Sequence, residues 1–514
     1  MHKCIKSGLR ATSRVVRSPV MPTSDISMIS KNLMPSDGSK TNKRETAYAV
    51  NLAKQLFFCF LFISILSLIH GCATLPRVSE KIDAVPVAQE PRQIVSAKGL
   101  LSAEKSKAIM ERLKQSVNPT DILERYTAVI ESVTESPLTK GNKVTLLLDG
   151  AATYAAMFEA IRIAKHHINL ETFIIEDDEI GKKFTDLLLK KQAEGVQVNI
   201  IYDSMGSFTT PESFFQHLRD GGIHVVEFNP VSPLKGRLKW LMVNPDHRKI
   251  LIIDGQVAIS GGVNISNVYS GKLSGRGKVK VKGEPLPWRD TDVQIEGPAV
   301  AEFQKLFMDT WSKQDGPKLS EANYYPKMKE DGNALVRVVG STPGSDNRIT
   351  FITYVAAITF AERSIHLTNA YFVPDNQILK AFKDAAKRGV DVKIILPSNT
   401  DVQFILNAAR HHYSELLKAG VKIYERRNAV LHAKTAVIDG VWSTVGSTNL
   451  DSLSLRSDDE VNAVILSSDF ALEMERTFAN DLEQSDEIRC DMWGKRPLAE
   501  KIKEAFAHLF SRWL

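Results

Sequence analysis

The sequence predicts an α/β fold of two fused halves, each a mostly parallel sheet flanked by helices, related by a pseudo-twofold axis. Two observations lead to this prediction. The pattern His-x-Lys-x4-Asp occurs twice, at 247–254 and 432–439, and each copy is followed at the same distance by a small-residue turn that ends in Asn. The segments 166–204 and 364–398 repeat each other as well. Strand-like and helix-like stretches alternate in both, as is typical of layered α/β folds.

Each motif is predicted to lie on a β-hairpin. The runs ILIID and TAVID are apolar and mostly β-branched, which indicates buried strands. The runs VAISGG and WSTVGS form the return strands. Asp254-Gly255 and Asp439-Gly440 lie between them, and Asp-Gly is a strong hairpin turn signal. The histidines precede these hairpins, the lysines enter them, and the asparagines follow them.

The repeated segments supply the rest of each half. Both contain a strand, a loop, an amphipathic helix and a second core strand. Gly195 and Gly389 follow the helical stretches, where a glycine usually ends a helix. Active sites of such sheets collect at the ends of strands, which is where the motifs are expected.

The motif residues are suited to attack on a phosphodiester. One imidazole can attack phosphorus and hold the phosphoryl group covalently, and a second can protonate the departing alcohol and deprotonate the acceptor. Lysines and amides can stabilise the non-bridging oxygens. The candidate catalytic residues are His247, Lys249, Asp254, His432, Lys434 and Asp439, and the candidate substrate-binding residues are Asn264 and Asn449. Asp254 and Asp439 are either orienting groups of the site or turn residues, since Asp before Gly is common in turns.

The two motifs with their Gly-[Gly/Ser]-x-Asn extensions resemble the phospholipase D superfamily. Residues 288–311 and the sequence FNPVSP (228–233) are similar to its cardiolipin synthase branch. The resemblance covers about residues 140–514. It implies a monomer with one active site shared by two halves, a phosphatidyltransferase that forms cardiolipin from phosphatidylglycerol through a phosphohistidine.

The resemblance also implies individual roles. His247 corresponds to the usual nucleophile and His432 to the acid/base, although the sequence leaves the reverse order open. Asp290 and Glu460 correspond to the acidic residues that orient the imidazoles, and a solvated strand-edge carboxylate is the alternative for both.

The chain departs from the branch after the second motif. Leu453 stands where Arg is usual, Arg456 follows three residues later, and Asp458 replaces the usual Asn. The acceptor alcohol and head group are therefore less well defined than the chemistry. A phospholipase D-type hydrolase, an envelope nuclease of the same superfamily and an inactive envelope lipoprotein are the alternatives.

Composition argues against a general nucleic-acid binder. The chain has 514 residues, of which 43% are hydrophobic and 25% charged, with a formal net charge of +6. Residues 1–72 contain ten Lys or Arg and three Asp or Glu, so the remaining chain carries about −1. No Cys/His cluster has zinc spacing and no acidic array resembles a two-metal site, so neither a metal nor a cofactor is expected. The expected partner is a phospholipid in a membrane, not a nucleic acid.

The N-terminal region resembles an envelope-targeting segment. The apolar run 56–69 is fourteen residues long and ends just before Gly71-Cys72. It is too short for a comfortable membrane span and is typical of a signal peptide. Cys72 resembles the lipidated cysteine of a bacterial lipoprotein, and a short uncleaved anchor is the alternative. This implies an enzyme of the bacterial cell envelope that is anchored by lipid at the membrane and faces the periplasm.

Two further segments are candidates for lipid contact. The stretch 271–285 is glycine-rich and basic, and is either a head-group-binding loop or a solvated loop. Apolar residues from Leu498 to Trp513 fall on one helical face, which is either interfacial or packed on the second half. The predicted organisation is an N-terminal extension with a signal or lipoprotein segment (1–72), a tether and helical lead-in (73–140), a first half (141–318), a linker (319–333), a second half (334–490) and a C-terminal amphipathic helix (491–514).

Overall fold

Helices and strands alternate along most of the chain in the computed structural model. It describes residues 75–84, 93–116, 122–230, 244–271, 279–281, 284–319, 322–344 and 348–514, all within the compact unit Ala73–Leu514. Three predictions concern residues outside these ranges, either wholly or in part. They are the apolar run 56–69 with Cys72, most of the basic stretch 271–285, and the second part of FNPVSP.

The lead-in packs against the second half. Its elements are α1 (Val78–Ala84), β1 (Ile94–Ser96), β2 (Gly99–Leu100), α2 (Ala103–Gln115) and α3 (Ile122–Glu131). The α3 helix is almost entirely buried, and its Tyr126 packs edge-on against Trp442 with ring centroids 5.6 Å apart. The lead-in is therefore part of the folded core and not only a tether.

The first half begins with a long strand and ends with a long helix. Its elements are β3 (Leu138–Leu147), α4 (Gly150–Ile163), β4 (His167–Thr172), α5 (Glu179–Ala193), β5 (Gln197–Asp203), α6 (Glu212–Asp220), β6 (His224–Phe228), β7 (Ile250–Ile253), β8 (Val257–Gly261), β9 (Lys280–Val281), β10 (Glu284–Pro285), β11 (Trp288–Arg289), β12 (Asp292–Glu296) and α7 (Val300–Lys313). A short 3-10 helix, Asn267–Tyr269, follows β8.

The second half repeats this order. Its elements are β13 (Ala334–Ser341), α8 (Ile349–Phe360), β14 (Ser364–Asn369), α9 (Asn376–Arg388), β15 (Asp391–Asn399), α10 (Gln403–Ala419), β16 (Lys422–Leu431), β17 (Lys434–Ile438), β18 (Trp442–Gly446), α11 (Ser452–Arg456), β19 (Glu460–Leu466) and α12 (Ser468–Glu483). The β20 strand (Ser485–Glu487) then pairs with β16.

The two halves have the same strand order. It is β6-β5-β4-β7-β8-β12-β3 in the first half and β16-β15-β14-β17-β18-β19-β13 in the second. The prediction of a two-half α/β fold is confirmed. The sheets are mixed, however, and not mostly parallel. Within each seven-strand order, as far as the structure describes it, only the first three strands are parallel neighbours, because the motif hairpin and the strands beyond it add antiparallel pairs.

The halves are joined through strands and through a common core. β3 pairs antiparallel with β13, so one continuous sheet runs through both halves. Residues of α7, such as Phe303 and Phe307, and residues of α12, such as Met474, share one buried apolar cluster with strands of both halves. This packing fixes the two motif hairpins relative to one another.

The predicted hairpin turns are present. Asp254 and Gly255 have φ values of 52° and 65°, and Asp439 and Gly440 have 53° and 66°. Two successive positive φ values are the requirement of a type I′ turn. Gly389 also has a positive φ and caps α9, as predicted from its position.

The C-terminal region is not one helix. It forms α13 (Cys490–Trp493), α14 (Leu498–His508) and a 3-10 helix, Ser511–Trp513. Gly494 and Pro497 lie between the two α-helices, and proline lacks the N–H that a continuous helix would need. Within the described ranges, no helix combines the length and apolarity needed to cross a bilayer.

Candidate active site

The His-Lys pairs of the two motifs occupy corresponding positions. His247 lies just before β7, His432 lies between β16 and β17, and both side chains are buried. Lys249 immediately precedes β7, and Lys434 is the first residue of β17. The Nζ of each lysine donates a hydrogen bond to the backbone carbonyl of the histidine in its own motif, at 2.6 Å in the first half. The same local geometry is therefore built twice.

Each imidazole contacts a carboxylate from the other half. Nδ1 of His247 lies 3.0 Å from Oε1 of Glu460, and Nδ1 of His432 lies 2.6 Å from Oδ2 of Asp290. Both carboxylates are fully buried. A carboxylate at Nδ1 favours the tautomer with its proton there, which leaves the lone pair on Nε2. The orientation of each imidazole thus depends on both halves.

The backbone crosses between halves in the same way. The carbonyl of Arg289 accepts a hydrogen bond from the N–H of His432 at 2.8 Å, and the carbonyl of Asp459 accepts one from the N–H of His247 at 2.9 Å. Arg289 and Asp459 lie on the segments that lead into β12 and β19. In each half, the segment before β12 or β19 therefore contacts the motif histidine of the opposite half.

The two motifs share one electrostatic environment. Burial, together with the charge of Lys249, lowers the pKa of His247 to about 4, although Glu460 acts in the opposite direction. Burial also lowers the pKa of Lys249 to about 7 and that of Lys434 to about 8. The charge of Lys434 contributes to the lowered pKa of both His247 and Lys249. The cations of the two halves are therefore close enough to repel one another.

The two orienting carboxylates are held in the charged form. Burial alone would raise the pKa of Glu460, but His247 and Lys249 lower it below its usual value. Burial is likewise outweighed at Asp290, whose pKa is lowered by His432. A charged carboxylate at Nδ1 is suited to stabilise an imidazolium when the ring takes up a second proton.

The surroundings of the two imidazoles differ. The ring of His247 packs edge-on against Phe173, with centroids 4.9 Å apart. Three aromatic rings lie around His432, with centroids 5.2 Å away for Trp288, 5.8 Å for Tyr269 and 6.0 Å for Tyr371. The histidines, lysines and carboxylates of the two motifs are therefore arranged pseudo-symmetrically, whereas the aromatic rings around the two imidazoles differ.

Asp458 lies beside His247, a position that the sequence flagged only as a departure from the usual Asn. It is buried, and burial together with the charge of Glu460 raises its pKa well above the usual range. A neutral carboxyl offers a donor and an acceptor, as an amide does. Of the described residues, only His247, Asp458 and Glu460 form a group whose ligand atoms, all within 4.8 Å of one another, could hold a metal ion.

The two predicted amides contact different partners. Nδ2 of Asn264 donates to the hydroxyl of Tyr269 at 3.0 Å, and that hydroxyl lies 3.4 Å from Nδ1 of His432. Nδ2 of Asn449 donates to Oγ of Ser454 at 3.4 Å. Both asparagine side chains are buried. Asn264 is thus connected to the histidine of the other half through a tyrosine.

The carboxylates of Asp254 and Asp439 contact backbone groups at the hairpin turns, which favours the turn-residue alternative for both. The carboxylate of Asp254 accepts hydrogen bonds of 2.8 to 2.9 Å from the backbone N–H groups of residues 165–167. Asp439 accepts the corresponding bonds, of 2.8 to 3.0 Å, from residues 362–364. Each lies at the far end of its motif strand, about 16 Å from the lysine at roughly 3.3 Å per residue. Both are turn residues that fasten the start of a neighbouring strand.

Arg248 is a structural residue of the site that sequence reasoning missed. It is buried between the motif residues His247 and Lys249, and its guanidinium lies 2.8 Å from Asp459 and 3.7 Å from Glu171. Its ion pair with Asp459 therefore joins the two halves next to His247. The second motif has Ala433 at this position, so the duplication gave no signal for it.

Arg456 contacts the N-terminus of α9. Its guanidinium donates to Asp375 at 3.1 Å, and Asp375 is the residue that caps α9. Leu453, at the position where Arg is usual, is exposed. Leu453 and Arg456 therefore change the rim next to α11, whereas the third departure, Asp458, lies beside His247. Both His-carboxylate pairs are intact.

Comparison with known proteins is consistent with this geometry. The family model described as "Cardiolipin synthase, PLD-like domain" matches residues 157–270 and 354–482. The chain is 35% identical to a cardiolipin synthase of Geobacillus sp. (strain WCH70) over 73% of either chain. It is 34% identical to a cardiolipin synthase of Geobacillus thermodenitrificans over 79% of either chain.

A solved structure has the same fold. The phosphatidylserine synthase of Haemophilus influenzae Rd KW20 superposes with a TM-score of 0.53, over 79% of this chain and 97% of that chain. The two sequences are 13% identical, so the likeness concerns the fold alone.

Proposed function

Because the chain belongs to the cardiolipin synthase branch of the phospholipase D superfamily, we propose that it forms cardiolipin from two phosphatidylglycerol molecules through a covalent phosphohistidine. The observation that supports this reaction is the crossed pair of contacts, His247 with Glu460 and His432 with Asp290. Two oriented imidazoles and two lysines in one buried environment are what a two-step phosphoryl transfer requires.

In the first step, Nε2 of His247 attacks the phosphorus of one phosphatidylglycerol. The bond between phosphorus and the glycerol oxygen breaks, and His432 gives its Nε2 proton to that oxygen, which releases glycerol. Lys249 and Lys434 stabilise the non-bridging oxygens. Asp290 stabilises the imidazolium form of His432 before this transfer.

In the second step, a hydroxyl of another phosphatidylglycerol gives its proton to Nε2 of His432. Its oxygen attacks phosphorus and the P–N bond to His247 breaks, so both imidazoles return to their starting states. The products are cardiolipin and free enzyme. Water in place of the second lipid would give phosphatidic acid, and the same residues would then act as a phospholipase D.

One difference between the imidazoles supports this order of roles. Burial lowers the pKa of both, that of His247 to about 4, so His247 is neutral at neutral pH, as a nucleophile must be. His432 has the closer carboxylate, at 2.6 Å compared with 3.0 Å, and a closer anion stabilises an imidazolium more strongly. We therefore assign attack to His247 and proton transfer to His432.

We further propose that the enzyme works at the membrane of the bacterial envelope, as a monomeric catalytic unit anchored through a lipid on Cys72 and facing the periplasm. The support is the resemblance of residues 56–72 to a lipoprotein signal. Labelled palmitate should be incorporated into the wild-type chain and not into a Cys72→Ala variant. Equal labelling of both would contradict the anchor.

The test of the activity is lipid analysis after incubation with phosphatidylglycerol vesicles. Wild type and a His166→Ala control, which changes an exposed histidine away from the site, should accumulate cardiolipin and glycerol in equal amounts. His247→Ala should accumulate neither. Equal cardiolipin from wild type and His247→Ala would exclude the proposed reaction, and phosphatidic acid as the main product would identify a hydrolase.

A further inference from the structure

The α14 helix presents its large apolar side chains to solvent. Leu498, Ile502, Phe506 and Leu509 are 71%, 59%, 55% and 70% exposed. They follow one another at intervals of three or four residues, so they lie on one side of the helix. The opposite side is buried against α10 and carries Ala507 and Glu504. The helix therefore contacts α10 through the side that carries Ala507 and Glu504, while its large apolar side chains are exposed to solvent.

Basic residues border this face. Lys501 and Lys503 are exposed and lie on either side of the apolar stripe, and Lys495 and Arg512 are exposed beyond its two ends. Two acidic residues lie on the same helix. Glu504 is turned to the buried side and binds Arg496 in a salt bridge of 2.5 Å, and Glu500 forms an ion pair of 2.9 Å with Lys503. The positive border of the face therefore rests mainly on Lys501, Lys495 and Arg512. Flanking lysines with apolar stems and terminal charges are suited to an anionic surface with an apolar interior.

A series of contacts connects α14 to the aromatic residues around His432. The rings of Phe506 and Phe510 pack against Phe404 at the start of α10, with centroids 6.4 Å and 5.8 Å away. Three residues before Phe404, Asp401 accepts a hydrogen bond of 2.7 Å from the hydroxyl of Tyr371. The ring of Tyr371 is one of the three that surround His432.

A second connection runs through the chain terminus. The carbonyl of Leu514 accepts a hydrogen bond of 3.0 Å from the N–H of Leu453, in the short helix that follows Asn449. The apolar face is thus linked to the second motif both through α10 and through the last residue of the chain.

We propose that the exposed face of α14 (Leu498, Ile502, Phe506 and Leu509) docks into the surface of an anionic phospholipid bilayer and places the His432 side of the site next to the lipid. The role of this contact in catalysis rests on the proposed function, since a phosphatidyl group must leave the bilayer surface to reach the histidines. The occupant is a bilayer and not a second protein copy, because the face is a single convex stripe bordered by positive charge.

Hydrogen exchange on the full-length chain tests this docking separately from turnover. The chain carries His247→Ala, so that the lipid composition stays constant. Mixed phosphatidylglycerol and phosphatidylcholine vesicles should slow amide exchange in residues 498–510 by about tenfold or more, because a helix with an exposed apolar face opens readily until that face is covered. Pure phosphatidylcholine vesicles should slow it less.

Matched variants separate the effect of docking from the general effect of replacing exposed apolar residues. Ile502→Ser combined with Phe506→Ser should abolish this protection and lower cardiolipin formation on vesicles in the otherwise wild-type enzyme. Ile163→Ser combined with Leu472→Ser replaces residues that are 58% and 53% exposed on other helices and should change neither.

Exchange in 498–510 that is unchanged by anionic vesicles would overturn the proposal. So would protection that depends on protein concentration without lipid, which would indicate self-association. Protection without any cardiolipin formation in the His247-intact enzyme would leave the docking surface in place and contradict the proposed function instead.

Discussion

His247 and Glu460 are 213 positions apart in the chain, yet Nδ1 and Oε1 are 3.0 Å apart and buried together. The equivalent pair, His432 and Asp290, is separated by 142 positions. Both pairs are formed in the folded state by residues that the sequence places in different halves. The resemblance to a known family indicated which carboxylates matter, and the structure shows that each belongs to the other half's histidine.

Removing the charge from either carboxylate should affect the chemical step. We expect Asp290→Asn and Glu460→Gln to lower kcat by roughly 10²- to 10⁴-fold with little change in KM, because the imidazole loses its preferred tautomer and the stabilisation of its protonated form. Steady-state kinetics with dispersed phosphatidylglycerol measures both constants. Glu475→Gln is the matched control, since Glu475 forms a similar contact of 2.6 Å with His366 outside the site. Equal kcat in all four enzymes would contradict the role of the crossed carboxylates.

The lowered pKa of the lysines predicts the alkaline limb of the pH profile. A lysine is charged below its pKa and neutral above it, so a phosphate anion loses attraction as pH rises past about 7 for Lys249 and about 8 for Lys434. We expect kcat/KM to fall across this range, and to fall only at higher pH in Lys249→Arg, whose guanidinium stays charged. The quantity to compare is the pH at which kcat/KM falls. The size of kcat/KM is a poorer measure, because Lys249→Arg also changes the geometry of the site. A limb at the same pH in both enzymes would exclude titration of Lys249 as its cause.

At the scale of elements, the motif hairpin serves two purposes at its two ends. Its first strand directly follows the motif histidine, and its turn carries an aspartate that accepts hydrogen bonds from three backbone N–H groups at the start of a neighbouring strand. The motif could be found from spacing, and the turn from the Asp-Gly dipeptide. The two ends of one strand are not distinguished by spacing alone, which is why the aspartates were included among the candidate catalytic residues.

Asp254 and Asp439 should therefore matter for stability and not for chemistry. We expect Asp439→Ala to lower the free energy of unfolding by about 1 to 3 kcal/mol, because three partly buried N–H groups lose their acceptor. Asp254→Ala should lower it by less, because two of its three N–H partners are exposed and can bind water. Activity per folded molecule should remain close to wild type. Denaturant unfolding and active-site-normalised kinetics measure the two quantities. Asp177→Ala, at an exposed position, is the control, and a large loss of kcat in a stably folded Asp439→Ala would restore a catalytic role.

The C-terminal elements show that periodicity in a sequence does not predict whether an apolar helix face is buried. The apolar face of α14 could be predicted from its spacing, but the same spacing fits a packed helix and an uncovered one. Whether the apolar face is buried depends on how α14 packs on α10. The side that carries Ala507 contacts α10, and the larger apolar side chains remain exposed. The break at Gly494 and Pro497, by contrast, could have been inferred from residue type.

At the scale of the whole molecule, the duplication builds one site from two incomplete ones. The repeated motifs and the alternation of strands and helices were sufficient to predict two α/β halves. The mixed sheet, the join between β3 and β13, and the exchange of the segments before β12 and β19 depend on contacts between distant parts of the chain, which local patterns do not encode. Arg248 illustrates this limit, since it binds Asp459 of the other half and has no counterpart in the second motif.

The most direct test of joint covalent catalysis is intact mass of the quenched enzyme after exposure to phosphatidyl-p-nitrophenol, whose leaving group departs without protonation. In His432→Ala, release of the adduct is slow, and we expect one phosphatidyl group per chain, mapped to the peptide that contains His247. In His247→Ala we expect no adduct. An adduct on His432 in the His247→Ala enzyme would reverse the assigned roles, and cardiolipin formation by His247→Ala without any adduct would contradict the two-imidazole mechanism itself.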